Sequence, residues 1–242
     1  MRDYAVELEK RVAYIRARLA DAHAEGIVFG NSGGKDSALV GILCKLACEN
    51  TVGVMMPCES KRNYGEDMDD GCEFAEQFGI ENRTVDVTEI KRAAVGELEK
   101  VTTLNEQALT NLNPRLRMAT LYAIGAAENR LVAGTGNLAE RYMGYFTKWG
   151  DGAFDFNPIG DLTVGEVYDF LRYLKAPQAI IEKAPSAALY EGQTDEQDMG
   201  VTYAAIDRYI TTGEATEEDK AIIDRYHSRS EHKRNGFEIY HE

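Results

Sequence analysis

The chain has 242 residues, 44% of them hydrophobic and 28% charged, enough for a sizeable core in one large domain of ordinary enzyme composition. Its 27 Lys and Arg against 41 Asp and Glu leave a net charge of −14. That balance argues against a general nucleic-acid surface, but not against a small anion held by a few local cations. No run of about 18 apolar residues suggests a membrane helix, and Met1-Arg2-Asp3-Tyr4 opens a charged amphipathic helix rather than a signal peptide.

Residues 3–23 form the first predicted helix, N-capped by Asp3, with Leu8, Val12, Ile15 and Leu19 on one apolar stripe. Ile27-Val28-Phe29 is the first strand, and Gly30-Asn31-Ser32-Gly33-Gly34-Lys35-Asp36-Ser37 is the turn after it. A helix from Ala38 to Asn50 follows, with Leu39, Ile42, Leu43, Leu46 and Ala47 on its apolar face. Thr51 to Met56 is a second strand ended by Pro57. The polar stretch 58–65 leads to a third helix, stopped by Gly79. Asn82 to Val87 is a third strand, and a fourth helix begins near Thr88.

The stretch 97–113, diluted by threonines and asparagines, is expected to be a mobile or ligand-ordered segment. Pro114, suited to a first turn, is expected to start a long helix ending near Asn129. Leu131-Val132-Ala133-Gly134 is the next strand. A helix over Thr163–Leu174 has a capping box, Thr163 with Glu166. Ala184-Pro185-Ser186 breaks the next helix, residues 189–200 read as an acidic loop, and a last helix runs from Glu217 to about Lys233. Strands alternating with helices predict a doubly wound, mainly parallel, five-stranded sheet in a three-layer α/β/α fold. The loops 58–65 and 189–200 are expected to be mobile without substrate. The four cysteines, Cys44, Cys48, Cys58 and Cys72, lack a second pair at zinc spacing and are read as reduced residues of a cytoplasmic protein.

Strand, glycine turn and helix present backbone N–H groups to a phosphate, but the glycines of 30–37 are not spaced as in a Walker loop. Asp36 beside polyphosphate would be repulsive without a cation between them, so the turn predicts ATP with magnesium. Thr135-Gly136-Asn137 follows the fourth strand directly, and ligands of open parallel sheets sit beyond such strand ends. The aromatics of 140–158, among them Tyr142, Tyr145, Phe146 and Trp149, either stack on a base or nicotinoyl ring or form a subunit interface.

Ser32-Gly33-Gly34-Lys35-Asp36-Ser37 resembles the signature of ATP pyrophosphatases, the adenylate-forming amidation and thiolation enzymes. Gly134-Thr135-Gly136-Asn137-Leu138-Ala139-Glu140 and Gly144–Gly152 narrow the likeness to ammonia-dependent NAD synthetases. Asn157-Pro158, Lys183-Ala184-Pro185-Ser186, Gly200-Val201-Thr202-Tyr203 and His232-Lys233-Arg234 extend it in the same order. The resemblance implies ATP-dependent amidation of deamido-NAD to NAD through an acyl adenylate, the final step of NAD biosynthesis. It places magnesium on Asp36 and Glu140, and ATP on residues 30–37, Thr135 and Ser186. It places deamido-NAD on Arg115, Lys148, Asp155, His232 and Lys233. It also implies a homodimer, with 114–129 and the aromatic stretch as its candidate interface.

The family often has a lysine after Asp161-Leu162-Thr163 where this chain has Val164, and Lys35 is expected to supply the missing charge. With no candidate nucleophilic cysteine site, free ammonia is the expected nitrogen source, and a separate glutaminase subunit is the alternative. Two further alternatives are a tRNA-modifying ATP pyrophosphatase and a regulator that holds ATP without turnover. The first wants a basic surface and a C-x-x-C pair, which this chain lacks; Val164 is the one feature favouring the second.

Overall fold

A computed structural model describes residues 2–59, 64–183, 195–236 and 239–240. The chain opens with α1 (Tyr4–Ala22), whose first amides, of Ala5 and Val6, are accepted by the Asp3 carboxylate. Strand β1 (Gly26–Gly30) leads through the glycine turn into α2 (Lys35–Ala47), then β2 (Thr51–Met55), α3 (Glu66–Gln77), β3 (Glu81–Thr84) and α4 (Thr88–Leu98). A long α5 (Glu106–Glu128) precedes β4 (Arg130–Ala133). Helices α6 (Leu138–Met143), α7 (Val164–Tyr173), α8 (Gln178–Glu182), α9 (Asp195–Met199), α10 (Tyr203–Thr212), α11 (Glu217–Arg229) and α12 (Glu231–Arg234) complete the described chain.

Among the described residues the sheet has four parallel strands in the order β3-β2-β1-β4, not the expected five. Beyond β4 the chain makes a single parallel bridge, Ala133 to Phe156, with the Gly134 amide donating to the Phe156 carbonyl at 2.8 Å. Asn157-Pro158 follows at once, and the missing proline N–H blocks a longer ladder.

Side chains of β1 alternate between two cores, as a strand requires. Ile27 and Phe29 join Leu39, Ile42, Phe74 and Phe170 on the face of α1, α2 and α7. Val28 joins Val52, Val54 and Val132 on the opposite face, under Leu121 and Ile124 of α5. The central strands are therefore near-continuous apolar runs, while the edge strand β3, Glu-Asn-Arg-Thr, is polar. A third cluster joins α6, α7, α10 and α11 through Met143, Val164, Tyr203, Ile206 and Ile223.

Helix α5 starts eight residues before Pro114, because Asn105 caps it, accepting from the Ala108 amide at 2.8 Å. Pro114 sits inside the helix and removes one turn's hydrogen bond. Packing of α5 on β1 and β4 outweighs that loss. The capping box of α7 forms as its sequence predicts. The last predicted helix divides at Ser230 into α11 and α12. The expected loops 58–65 and 189–200 lie partly outside the described residues. In their described parts Tyr64 Oη bonds Asp86 and Thr88, and 195–199 form α9.

From β1 the chain winds one way to β2 and β3, then crosses back so that β4 lies on the other side of β1. The carboxyl ends of β1 and β4 therefore flank the switch point where such sheets bind ligands.

Candidate functional site

The turn after β1 is built by its own side chains. Asn31, 3% exposed, donates to the Gly71 carbonyl at 2.9 Å and accepts from the Gly33 amide at 3.2 Å. Ser37 Oγ donates to the Gly34 carbonyl at 3.0 Å, and the two serine hydroxyls, Ser32 and Ser37, lie 3.0 Å apart. Gly33 has φ +68°, and a Cβ there would meet the Asp67 carbonyl oxygen at 2.2 Å, so only glycine fits. Gly34 caps α2 without a side-chain hydrogen bond. The first-turn amides of α2 thus stay available to an anion beside the cavity that Gly34, Lys35, Asp36 and Ser37 line.

The turn after β4 meets this loop through one side chain. Asn137, fully buried, caps α6 by accepting from the Glu140 amide at 3.0 Å, while Glu140 accepts from the Asn137 amide at 3.1 Å. The Asn137 side-chain amide reaches across to donate to Asp36 Oδ1 at 3.2 Å. The capping box therefore holds two carboxylates from opposite sides of the switch point near each other. Burial, then the Asp36 charge, pushes the Glu140 carboxyl well above the ordinary glutamate range, against the opposing pull of Lys35. Lys35 Nζ lies 2.7 Å from Asp36 Oδ2. Burial alone would lower the Lys35 pKa, but Asp36 and Glu140 raise it above the ordinary lysine value. No cluster of three metal-binding side chains occurs among the described residues. Two hard carboxylates facing a phosphate cradle still suit Mg²⁺, which is commonly bound by one or two carboxylates plus substrate phosphates.

The cavity of about 1180 Å³ runs from this cradle past β4 to the aromatic segment 144–152. It exceeds the ~300–1,000 Å³ of common small-molecule pockets, leaving room for two substrates side by side. Thr135 stands in its wall. Ser186, expected at ATP, lies outside the described residues.

Among the residues expected at deamido-NAD, Lys148 and Lys233 line the cavity and Arg115, Asp155 and His232 do not. Lys148 Nζ donates to the His232 carbonyl at 2.6 Å, and the His232 side chain is exposed. Lys233 Nζ donates to the carbonyls of Gly144 at 2.8 Å and Phe146 at 2.7 Å. Arg115 is exposed, its guanidinium 3.5 Å from the Lys148 carbonyl. Asp155 accepts from the Val132 amide at 2.7 Å and from Tyr122 Oη at 3.2 Å, splinting β4 to α5.

Sequence reasoning gave no role to several residues that line this cavity. Lys183 ties Asp67 at 2.8 Å and Asp70 at 2.5 Å, with the Gly33 carbonyl at 3.5 Å, so it fastens α3 to the phosphate loop. Arg117 donates to the Met56 carbonyl at 3.0 Å, and Arg225 and Arg229 bring charge from α11. Asp195, 5% exposed, accepts from Tyr203 Oη at 3.0 Å. The only visible signal for Lys183 was its place in a recurring motif, and single arginines on helices carry none.

Comparison with known proteins identifies the family. A curated relative, the NH3-dependent NAD+ synthetase of Carboxydothermus hydrogenoformans, is 46% identical over 229 residues, covering 93% of each chain. That of Alkaliphilus metalliredigens is 42% identical over 96% of each. Among solved structures, an NMN synthetase from Francisella tularensis superposes with a TM-score of 0.93 at 36% identity over 99% of both chains. An NH3-dependent NAD synthetase from Campylobacter jejuni gives 0.81 at 28% identity over 100% of both. The family model for NAD synthase matches residues 7–240, and the chain belongs to that family.

Proposed function

We propose that the chain is an ATP- and magnesium-dependent ligase that converts the nicotinate carboxylate of deamido-NAD to the amide of NAD with ammonia, releasing AMP and pyrophosphate. The observation that carries this reading is the Asn137–Asp36 hydrogen bond, which joins the phosphate loop to the Glu140 turn at the mouth of a two-substrate cavity.

A carboxylate oxygen of the substrate attacks the α-phosphorus of ATP, and the bond to the bridging oxygen of pyrophosphate breaks. The first-turn amides of α2, at its positive end beside the 30–37 loop, hold the departing pyrophosphate. Asn137 orients Asp36 and Glu140, the residues that would hold Mg²⁺. Bound there, the ion would offset the charge repulsion between carboxylate and triphosphate. Ammonia then attacks the acyl carbon, loses a proton, and AMP leaves with the carboxylate oxygen. Lys233 and the Gly144–Gly152 segment wall the acyl end and keep water from competing. A homodimer would give the exposed Arg115, His232 and Trp149 a covered surface; sedimentation at a single-chain mass would remove that part of the proposal.

A second acceptor is favoured by a specific observation. The polar atoms of Lys148, Lys233 and Asp155 are engaged by the chain's own backbone or by Tyr122, so fewer groups are free for a second nucleotide. The Francisella protein, named for NMN, is also the better superposed of the two structures. Nicotinate mononucleotide, which carries the same carboxylate on one nucleotide, fits that arrangement. The test compares kcat/KM for deamido-NAD and nicotinate mononucleotide with ATP, Mg²⁺ and ammonium. Preference for the dinucleotide sinks the second reading, and amide formation from neither sinks both. Glutamine alone should support no turnover; if it does, the free-ammonia assignment fails.

A further inference from the structure

Lys35 is placed where helix physics does not favour it. It occupies the first position of α2, where the helix dipole repels a cation, and it is 6% exposed. Its ammonium turns onto the carboxylate of the adjacent Asp36 at 2.7 Å, although neighbouring helical residues do not ordinarily face each other. The surroundings explain the turn. The ring centres of Tyr203 and Tyr168 lie 5.5 and 6.0 Å from Nζ, and the electron-rich ring faces favour a cation. Glu140 belongs to the same carboxylate pair, since Asn137 is hydrogen-bonded to both Glu140 and Asp36. Asp195 adds negative charge behind Tyr203, and Asp207, held by the amides of Val164 and Gly165, adds it behind α7. Position 164 brings no cation, because Val164 is buried in the same apolar cluster as Tyr203, and the α7 cation nearest this wall, Arg172, lies over the Tyr168 ring at 5.8 Å and is paired with Asp169.

We propose that Lys35 is an exchangeable resident cation: in the free protein its ammonium neutralises Asp36 and Glu140, and on binding of metal–nucleotide it gives up the carboxylates and turns to the polyphosphate. The inference rests on the ATP-binding reading above. A divalent ion on the same carboxylates would sit within a few ångströms of the ammonium, and a half-buried wall screens such repulsion poorly. The four-carbon lysine stem is flexible enough to move the charge while the helix stays fixed. The phosphates that bring the metal would also reward the displaced ammonium, so metal binding becomes conditional on nucleotide. Lys35 thus acts on the metal through the carboxylates and on ATP directly.

The experiment measures Mn²⁺ binding by electron paramagnetic resonance on the full chain without nucleotide, for wild type, Lys35→Met and Lys35→Arg. Lys35→Met should bind Mn²⁺ at least tenfold more tightly than wild type, and Lys35→Arg should stay within twofold of it. ATP affinity in the presence of Mg²⁺ should fall at least tenfold in Lys35→Met and recover in Lys35→Arg. Equal Mn²⁺ affinity in wild type and Lys35→Met, both with native circular dichroism, overturns the exchange even if amide synthesis is intact. The Mn²⁺ shift in a protein that amidates no acceptor keeps the exchange and rejects the proposed reaction.

Discussion

Gly33 tests the phosphate loop most sharply, because the structure assigns its replacement by alanine a definite cost. Its φ of +68° puts any L side chain in the left-handed region, at about 1–2 kcal/mol. The new Cβ would also lie 2.2 Å from the Asp67 carbonyl oxygen and 3.0 Å from its carbon, both backbone atoms that cannot rotate away. Relief requires α3 to shift off the loop, against the Lys183 bridges to Asp67 and Asp70, and such overpacking costs about 1–3 kcal/mol more. The sum is about 2–5 kcal/mol, or about 4–20 °C in Tm for a chain of this length. Gly34→Ala is the control: its φ is not positive, and its nearest neighbour is the Ser32 hydroxyl at 3.3 Å, so it should cost less than about 1 kcal/mol. Thermal unfolding measures both variants, and calorimetric titration with Mg·ATP should show at least tenfold weaker binding for Gly33→Ala. Equal melting temperatures for the two variants would refute the reasoning.

Three further outcomes are expected. Burial and the Asp155 charge raise the Tyr122 phenol to about 12, so Asp155→Asn should bring one tyrosine back towards ordinary titration at 295 nm. Asp155→Ala should lower stability by about 1 kcal/mol through the unpaired Val132 amide; an unchanged tyrosine titration in Asp155→Asn contradicts the splint. Burial alone would raise the Asp161 carboxyl, but hydrogen bonding and charge from Arg11, with Arg2, hold it below the ordinary aspartate value. A depressed native value means stability that is present above the unfolded value of about 3.9 and lost as pH falls through the native one. Wild type should therefore lose stability below about pH 4 more steeply than Asp161→Asn in urea titrations; parallel curves would remove Asp161 from the docking of α1. Lys233→Met should speed hydrogen exchange in 144–152, whose Gly144 and Phe146 carbonyls it releases, and unchanged exchange would show that the segment holds itself.

Much of the molecule was legible from local chemistry. Asp3 caps α1 and Thr163 with Glu166 boxes α7, because a cap is decided by residues within one turn. The turn after β1 was readable for the same reason: its glycines and serines satisfy one another. Pro114 misled the reading, since a first-turn preference is worth less than the packing of α5 across β1 and β4. The fifth strand shrank to one bridge at Phe156 for want of a proline amide. Asp155 and Lys233 were recognisable as polar positions in a motif, but what their atoms touch depends on backbone groups far away in sequence. Lys183 was out of reach for that reason too: its partners, Asp67 and Asp70, lie more than a hundred residues earlier.

The central claim, activation of a nicotinate carboxylate on the α-phosphorus of ATP, is tested most directly by oxygen tracing. Acceptor labelled with ¹⁸O in its carboxylate is incubated with the protein, ATP, Mg²⁺ and ammonium, and the nucleotide products are weighed by mass spectrometry. The account predicts one amide per AMP and one ¹⁸O in each AMP. Label in inorganic phosphate with ADP as the nucleotide product, or AMP free of label, would contradict it.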